Sequence, residues 1–179
     1  MKRLLKYCGL QDKSEMALPI DSECYNPNGV NVGKNVSFIP PVNFGSEPYL
    51  ITIGDNTTIS FDVAFVTHDA ATRVLRNLPE GDKEVGFYGE IVIGSNCFVG
   101  CRTTILGNVH IGDNTIIGAG SVVNKDIPSN VVAAGNPCRV ICSLDEYIKK
   151  HKERGDFTYI QSYNPEQKKI YLLEHIRTK

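Results

Sequence analysis

No stretch of this chain is apolar for long enough to cross a membrane. Neither sign of charge dominates, since 19 Lys and Arg stand against 20 Asp and Glu for a net charge of −1. The first absence excludes a membrane span, and the second removes any electrostatic case for nucleic acid or an anionic lipid surface as partner. The amino-terminal text M-K-R-L-L-K-Y-C is basic, but Lys6 interrupts it after two leucines, so no signal-peptide core is present and the cytoplasm is the expected compartment. Six cysteines occur (Cys8, Cys24, Cys97, Cys101, Cys138 and Cys142), yet none forms a C-x-x-C pair. A zinc knuckle is therefore not expected, and reduced thiols packed as small hydrophobes are. At 179 residues the chain is one domain's worth, enough to bury a sizeable core.

What is present is a repeat. From Ile93 to Pro128 an aliphatic residue opens every sixth position: Ile93, Val99, Ile105, Ile111, Ile117 and Val123. Glycine follows at Gly94, Gly100, Gly112 and Gly118. A helix turns about 100° per residue, so steps of six would scatter the openers over separate faces. In extended chain a period of six is a multiple of two, and every opener points the same way. The glycines are expected to supply left-handed corners ending each short strand. Similarity is stronger at eighteen, where I-G-S-N returns as I-G-D-N and V-G-C as I-G-A. Three strands and three corners per coil describe a triangular prism, a hexapeptide β-helix. Cys97 falls where the next coil has Thr115, and Cys101 where it has Ala119, so both occupy small-residue slots.

Taken in order, residues 1–29 have no repeat, allow a short helix in Lys2–Leu10 and end in the turn cluster Asn26-Pro27-Asn28-Gly29. The β-helix is expected over 30–142. Its first coil opens at Val32 and runs through Phe38 and Phe44. Val32 to Ile53 is 21 residues, one coil plus three, so the Asn43–Pro48 stretch loosens the last corner. The second coil is opened by Ile53, Ile59 and Phe65. The repeat then breaks, and residues 71–92 read as an extruded loop leaving the prism just after His68; a loop this long is functional or disordered. After Pro128 the repeat decays. Residues 143–179 form a helical extension: Ser143-Leu144-Asp145-Glu146 is a capping box opening a helix to about Arg154, stopped by Gly155. Asn164-Pro165 opens a second helix carrying Ile170, Leu173 and Ile176 on one side. That stripe would cap the open end of the prism or cover a neighbouring subunit.

A β-helix is a scaffold and supplies no chemistry by itself. Of the four histidines, His151 and His175 fall in the charged helices, where a solvated role is expected, and His110 sits beside a corner, exposed. His68 differs, because it ends a coil at the corner from which the loop departs, where a general base is expected. Asp69 could orient the imidazole only from a corner conformation, since neighbours in extended chain face opposite ways.

The text I-G-D-N-T-T-I-S-F-D-V-A-F-V-T-H-D, then I-V-I-G-S-N-C-F-V-G, I-I-G-A-G-S-V-V-N-K-D-I-P and V-V-A-A-G-N-P-C-R-V-I, resembles the hexapeptide-repeat acetyltransferases that use acetyl-CoA. The likeness is greatest to galactoside/maltose-type sugar O-acetyltransferases and to those acting on bacterial capsule, exopolysaccharide or O-antigen sugars. It covers about residues 30–142. The resemblance implies a mainly β fold, a left-handed parallel β-helix, assembled as a homotrimer with acetyl-CoA between neighbouring prisms. It carries the catalytic histidine to His68 and the coenzyme contacts to Cys101, Ala119, Asn124, Lys125 and Arg139, with Asn43 as a candidate for orienting the acceptor. Lys125 and Arg139 also suit the phosphates of the coenzyme as cationic donors. Cys101 and Asn124 depart from the small or hydroxyl residues usual there.

The implied chemistry is direct transfer of acetyl to a sugar hydroxyl, with His68 as base and no resident metal. No cysteine shows the paired base of a covalent acyl-enzyme. Three alternatives stand beside it. An amino-sugar N-acetyltransferase differs only in acceptor. A γ-type carbonic anhydrase shares the fold but needs three histidines on one zinc. A non-catalytic scaffold would bind no coenzyme.

Overall fold

The computed structural model describes residues 20–21, 29–159 and 164–176; the helix expected in Lys2–Leu10 lies outside them. The first coil comprises β2 (Asn31–Val32), β3 (Ser37–Phe38) and β4 (Val42–Asn43), preceded by β1 (Ile20–Asp21). The second comprises β5 (Ile51–Ile53), β6 (Thr58–Ile59) and β7 (Val63–Val66), after which the chain leaves the prism through helix α1 (Thr72–Asn77). Two further coils follow: β8 (Ile91–Ile93), β9 (Phe98–Val99) and β10 (Thr104–Leu106), then β11 (Val109–Ile111), β12 (Ile116–Ile117) and β13 (Val122–Val123). The prism ends with β14 (Val131–Ala134) and β15 (Arg139–Ser143).

Among the described residues these strands form three sheets, the faces of a left-handed parallel β-helix. The first face stacks β2, β5, β8 and β11; the second stacks β3, β6, β9, β12 and β14; the third stacks β4, β7, β10 and β13. Register is strict, with Ile51 beside Ile91, Ile53 beside Ile93 and Ile59 beside Val99. The six hexad openers from Ile93 to Val123 are at most 1% exposed, as the period of six requires. Each contributes about 1.5–3 kcal/mol by leaving water. Phe38, Phe44 and Phe65 fill the first two coils, with Phe44 stacked on Phe65 at 5.3 Å and edge-on to Phe38 at 5.6 Å. Thr57, Cys97 and Thr115 occupy one buried column. The two hydroxyls and the thiol each donate to a carbonyl of the following coil, at Gly94, Pro128 and Gly112 respectively. The small-residue slot is thus also a hydrogen-bonding slot, which a thiol can fill. Burial pushes the Cys97 thiol above its ordinary pKa.

The glycines have a different reason from the one expected. None of Gly94, Gly100, Gly112 and Gly118 has a left-handed backbone; the positive φ falls two residues later, on Asn96, Arg102, Asn114 and Gly120. Other left-handed corners are Asn35, Asn56, Asp62, Asn108 and Asn130, with φ of 54–62°. Asn and Asp tolerate that region because a short polar side chain bonds locally. Here the amides also bond coil to coil: Asn35 Nδ2 donates to Asn56 Oδ1 at 3.1 Å, Asn96 to Asn114 at 2.7 Å and Asn114 to Asn130 at 2.9 Å. Glycine is needed because the next coil lies directly on it. A Cβ at Gly100 would stand 2.5 Å from the Ala119 nitrogen, and one at Gly94 would run into Asp113 Oδ1.

Two boundaries also move. The prism resumes at Ile91 rather than Ile93, because Ile91 is fully buried and pairs with Ile51. After Pro128 the repeat does not simply decay: β14 continues the second sheet in parallel with β12, and β15 returns antiparallel on β14. One compact unit ends at Leu144 and a second begins at Asp145. The helices α2 (Leu144–Glu153) and α3 (Pro165–Ile176) follow their sequence signals, with Gly155 left-handed after α2 and Asn164 Oδ1 accepting the Glu166 and Gln167 N–H groups. Ile170, Leu173 and Ile176 are exposed within α3.

Gly100→Ala is expected to destabilise the prism by about 1–3 kcal/mol through overpacking against backbone that cannot swing away. Urea denaturation of the variant reads this, and an unchanged midpoint would show that inter-coil contact is not what the position demands.

Candidate active site

Alternation along β7 turns Val63 and Phe65 inward, Thr67 just beyond it is also buried, and His68 is left at the edge, where the third face turns into the first. The chain departs there and comes back to the same place. Asp69 N–H donates to Phe87 O at 3.2 Å, Gly89 N–H donates to Thr67 O at 2.8 Å, and His68 and Tyr88 form an antiparallel bridge. The excursion is not a structureless loop. Asp69 Oδ1 accepts the Ala71 N–H at 2.8 Å just before α1, and Arg76 Nε donates to Val85 O at 2.7 Å. Lys83 Nζ donates to the Arg76 and Leu78 carbonyls at 2.6 and 2.9 Å, closing the end of the helix. A cavity of about 350 Å³ lies in this excursion, lined by Asp69, Ala71, Thr72, Leu75 and Phe87.

The His68 ring is held from the preceding coil. Its Nδ1 lies 2.6 Å from Glu47 Oε2 and 3.3 Å from Ser46 Oγ, and its face lies 5.8 Å from the Tyr88 ring. Glu47 Oε2 also accepts from Thr67 Oγ1 at 3.1 Å and from Ser46 Oγ at 3.2 Å. The hydrogen bond from His68 holds the Glu47 carboxyl below its usual range; burial opposes it, and the Ser46 and Thr67 hydroxyls add to it. An ionised carboxylate can only accept, so the proton of the neutral ring sits on Nδ1 and Nε2 carries the lone pair. Such a nitrogen can take a proton from a hydroxyl.

Asp69 is therefore not the partner of the ring. Its Oδ1 instead accepts the Ala71 N–H, and the carboxylate against the ring belongs to Glu47. Asn43 lies exposed at the end of β4, where its Oδ1 accepts the Gly45 N–H at 3.0 Å and starts the turn that leads to Ser46 and Glu47. Glu47 was missed in the sequence. The available signal was the three-residue surplus of the first coil, which had no reason to loosen a corner.

The remaining candidates fall into two groups at opposite edges of the third face. Cys101 and Ala119 stack at the corner between the second and third faces, joined by the Gly120 N–H to Cys101 O bond of 2.8 Å. A Cβ on Gly120 would meet nothing within 4 Å, so this corner is open. Asn124 and Lys125 lie exposed at the same edge as His68, two coils further on, about 10 Å by strand spacing. Arg139 joins them: its guanidinium lies 3.5 Å from Asn124 Oδ1 and donates to Cys138 O at 2.7 Å. His110 is exposed, and His151 pairs with Asp156 at 2.7 Å within the second unit. Among the described residues no three His, Cys, Asp or Glu side chains are grouped as metal ligands.

Residues 90–125 match the family described as Bacterial transferase hexapeptide (six repeats). The chain is 44% identical to Protein CapG of Staphylococcus aureus, across 83% of this chain and 85% of that protein. The chain belongs to the bacterial transferase hexapeptide family. This hexapeptide transferase is also 39% identical to the galactoside O-acetyltransferase of Escherichia coli (strain K12), across 68% of this chain and 70% of that one. Among solved structures it resembles a hexapeptide-repeat acetyltransferase of Vibrio cholerae complexed with acetyl coenzyme A. Identity there is 28% and the TM-score 0.54, over 65% of this chain and 61% of the other. As a member of this family the chain is an enzyme, an acetyltransferase.

Proposed function

We propose that this acetyltransferase transfers the acetyl group of acetyl-CoA to a hydroxyl of a sugar, in the making of a bacterial surface polysaccharide, with His68 as general base. The observation that carries the reading is the His68 ring itself, whose Nδ1 is engaged by Glu47 and whose Nε2 is left with its lone pair at the mouth of the loop. Nε2 takes the proton of the acceptor hydroxyl as its oxygen attacks the thioester carbonyl, and backbone N–H groups meet the oxyanion. Collapse breaks the carbon–sulfur bond and releases CoA as thiolate, which recovers the proton from the imidazolium. The products are the O-acetyl sugar and CoA thiol. The acetyl-CoA complex of the Vibrio cholerae relative supports the donor, and the galactoside O-acetyltransferase supports the acceptor class. Cytoplasmic location agrees with that donor; among the described residues no helix is long and apolar enough to cross a membrane.

Lys125 and Arg139, with Asn124, are the groups we assign to the coenzyme phosphates, and the open corner at Cys101 and Ala119 to its pantetheine arm. The two groups lie at opposite edges of one face, so no single edge of the prism presents both. A threefold assembly setting one edge against the other edge of a neighbour completes the site, so each coenzyme lies between subunits.

The expected mass in solution is that of a trimer. A monomer that binds acetyl-CoA undiminished would contradict the shared site.

Lys125→Ala and Arg139→Ala are each expected to weaken acetyl-CoA binding, more so at low salt, where charge-assisted contacts are least screened. Parental affinity in both variants by equilibrium titration would remove these residues from the donor site.

His68→Ala should lower kcat by about 10²–10⁴ while acetyl-CoA affinity changes little. His68→Asn should fare no better, because an amide accepts a hydrogen bond but not the proton. The measurement is thiol release from acetyl-CoA against a panel of sugars and lipid-linked repeat units. Near-parental kcat in a folded variant would sink the assignment of the base.

A further inference from the structure

The first coil is three residues longer than the regular third coil, and the surplus does not disturb the ladder on either side of it. Asn31 pairs with Thr52 on the first face, and Asn43 pairs with Ala64 on the third, both in the common register. The extra chain is confined to the corner between Asn43 and Ile51. At the equivalent corner of the third coil only Gly107 and Asn108 join β10 to β11. A two-residue corner turns the chain and has no room to present a long acidic side chain to the coil above it.

The longer corner is built to do so. Asn43 Oδ1 accepts the Gly45 N–H at 3.0 Å, and Gly45 is left-handed at φ 68° with its Cβ position 3.2 Å from Phe65 O. Glycine is thus required there both by conformation and by the closeness of the second coil. A single 3₁₀ turn, Pro48–Leu50, follows, with Glu47 at its N-cap and the Leu50 N–H donating to Glu47 O at 3.1 Å. Glu47 is thus flanked by the Asn43 side-chain bond to Gly45 on one side and by the Leu50 N–H bond to its own carbonyl on the other. Its side chain, 15% exposed, reaches the edge of the second coil, whereas the His68 side chain it meets is 40% exposed. The shortest of its three bonds goes to the ring, at 2.6 Å against 3.1 and 3.2 Å for the two hydroxyls.

We propose that Glu47 is a positioning residue for the transfer reaction: from the enlarged first corner its carboxylate fixes His68 as the Nδ1–H tautomer, aims Nε2 at the acceptor, and stabilises the imidazolium as it forms. The inference rests on the reading of His68 as the base. Without the carboxylate the ring can rotate about its side-chain bonds and exchange its proton between the two nitrogens, and the Nε2–H form is not a base toward the loop. Ser46 and Thr67 hold the carboxylate and have no charge to contribute, so their removal should matter far less.

The test compares Glu47→Gln, Glu47→Asp, Ser46→Ala and Thr67→Val by thiol release with the best acceptor of the sugar panel, by acetyl-CoA titration, and by the ring ¹⁵N shifts of His68. Glu47→Gln should lower kcat by about 10–100-fold or more, the smaller figure being typical when the outer partner that orients a metal-bound histidine is removed. Acetyl-CoA affinity should not move, and the His68 ring should change from one tautomer to a mixture. Glu47→Asp, which keeps the charge on a shorter arm, should recover part of kcat and of the single tautomer. Ser46→Ala and Thr67→Val should stay within a few-fold of the parent. Parental kcat and ring shifts in Glu47→Gln would overturn the proposal while leaving His68 as base. Equal losses in all four variants with the tautomer unchanged would also overturn it, reducing Glu47 to a structural part. Parental activity in His68→Ala would instead remove the base, and this inference with it. Should Glu47→Gln fail to fold, Glu47→Asp and the ring shifts of the parent still decide.

Discussion

Each residue of this prism has as its closest neighbour its own counterpart one coil away, at the spacing of hydrogen-bonded strands, about 4.8 Å. That single constraint sets the composition of the repeat. Inward positions must stack with inward positions, hence columns of isoleucine and valine with phenylalanine at Phe38 and Phe65 in the first two coils. Corner backbones come so close that a Cβ at Gly94, Gly100 or Gly112 would collide with the following coil. Left-handed corners fall mostly to asparagine, whose amides then bond upward in a column. A thiol can stand in for a threonine hydroxyl at Cys97 because it fits the same small slot and, like the hydroxyls, donates to the next coil. The same closeness makes a departure from the period conspicuous, since any added residue must be expelled from the stack.

Both insertions into the repeat among the described residues are expelled at the same edge. The first coil swells between Asn43 and Ile51, and the second releases residues 69–88 before returning at Gly89. They meet at His68, one from below with a carboxylate and one from beside with Tyr88. A regular prism has smooth faces and offers no group with unusual chemistry. The irregularities are what create a place where a ring nitrogen is engaged on one side and free on the other.

How far the sequence could be read follows from the same geometry. Period and hydrophobic openers are local in text, so the three-sided coil, the buried column from Ile93 to Val123 and the corner position of His68 were all legible. The helix starts at Leu144 and Pro165 were legible as well, because caps are local signals. What was not legible depends on contacts one coil away. The glycines were given a torsional role when their actual need is lateral clearance. Asp69 was considered for orienting His68 because it is adjacent in text, yet the partner is Glu47, 21 residues earlier and one coil below. The helix inside the excursion escaped notice because α1 is only six residues long and buries no side chain.

The ends of the second sheet carry a further consequence. A parallel β-helix is an open-ended template, and each terminal coil offers unpaired peptide groups in the spacing that another such coil would match. Here β1 runs antiparallel on β3 at one end and β15 runs antiparallel on β14 at the other, with a register break between Val132 and Ala133. On this face a further coil would not meet the parallel, in-register edge that each internal coil presents to the next, one of the ways in which sheet edges are kept from pairing end to end.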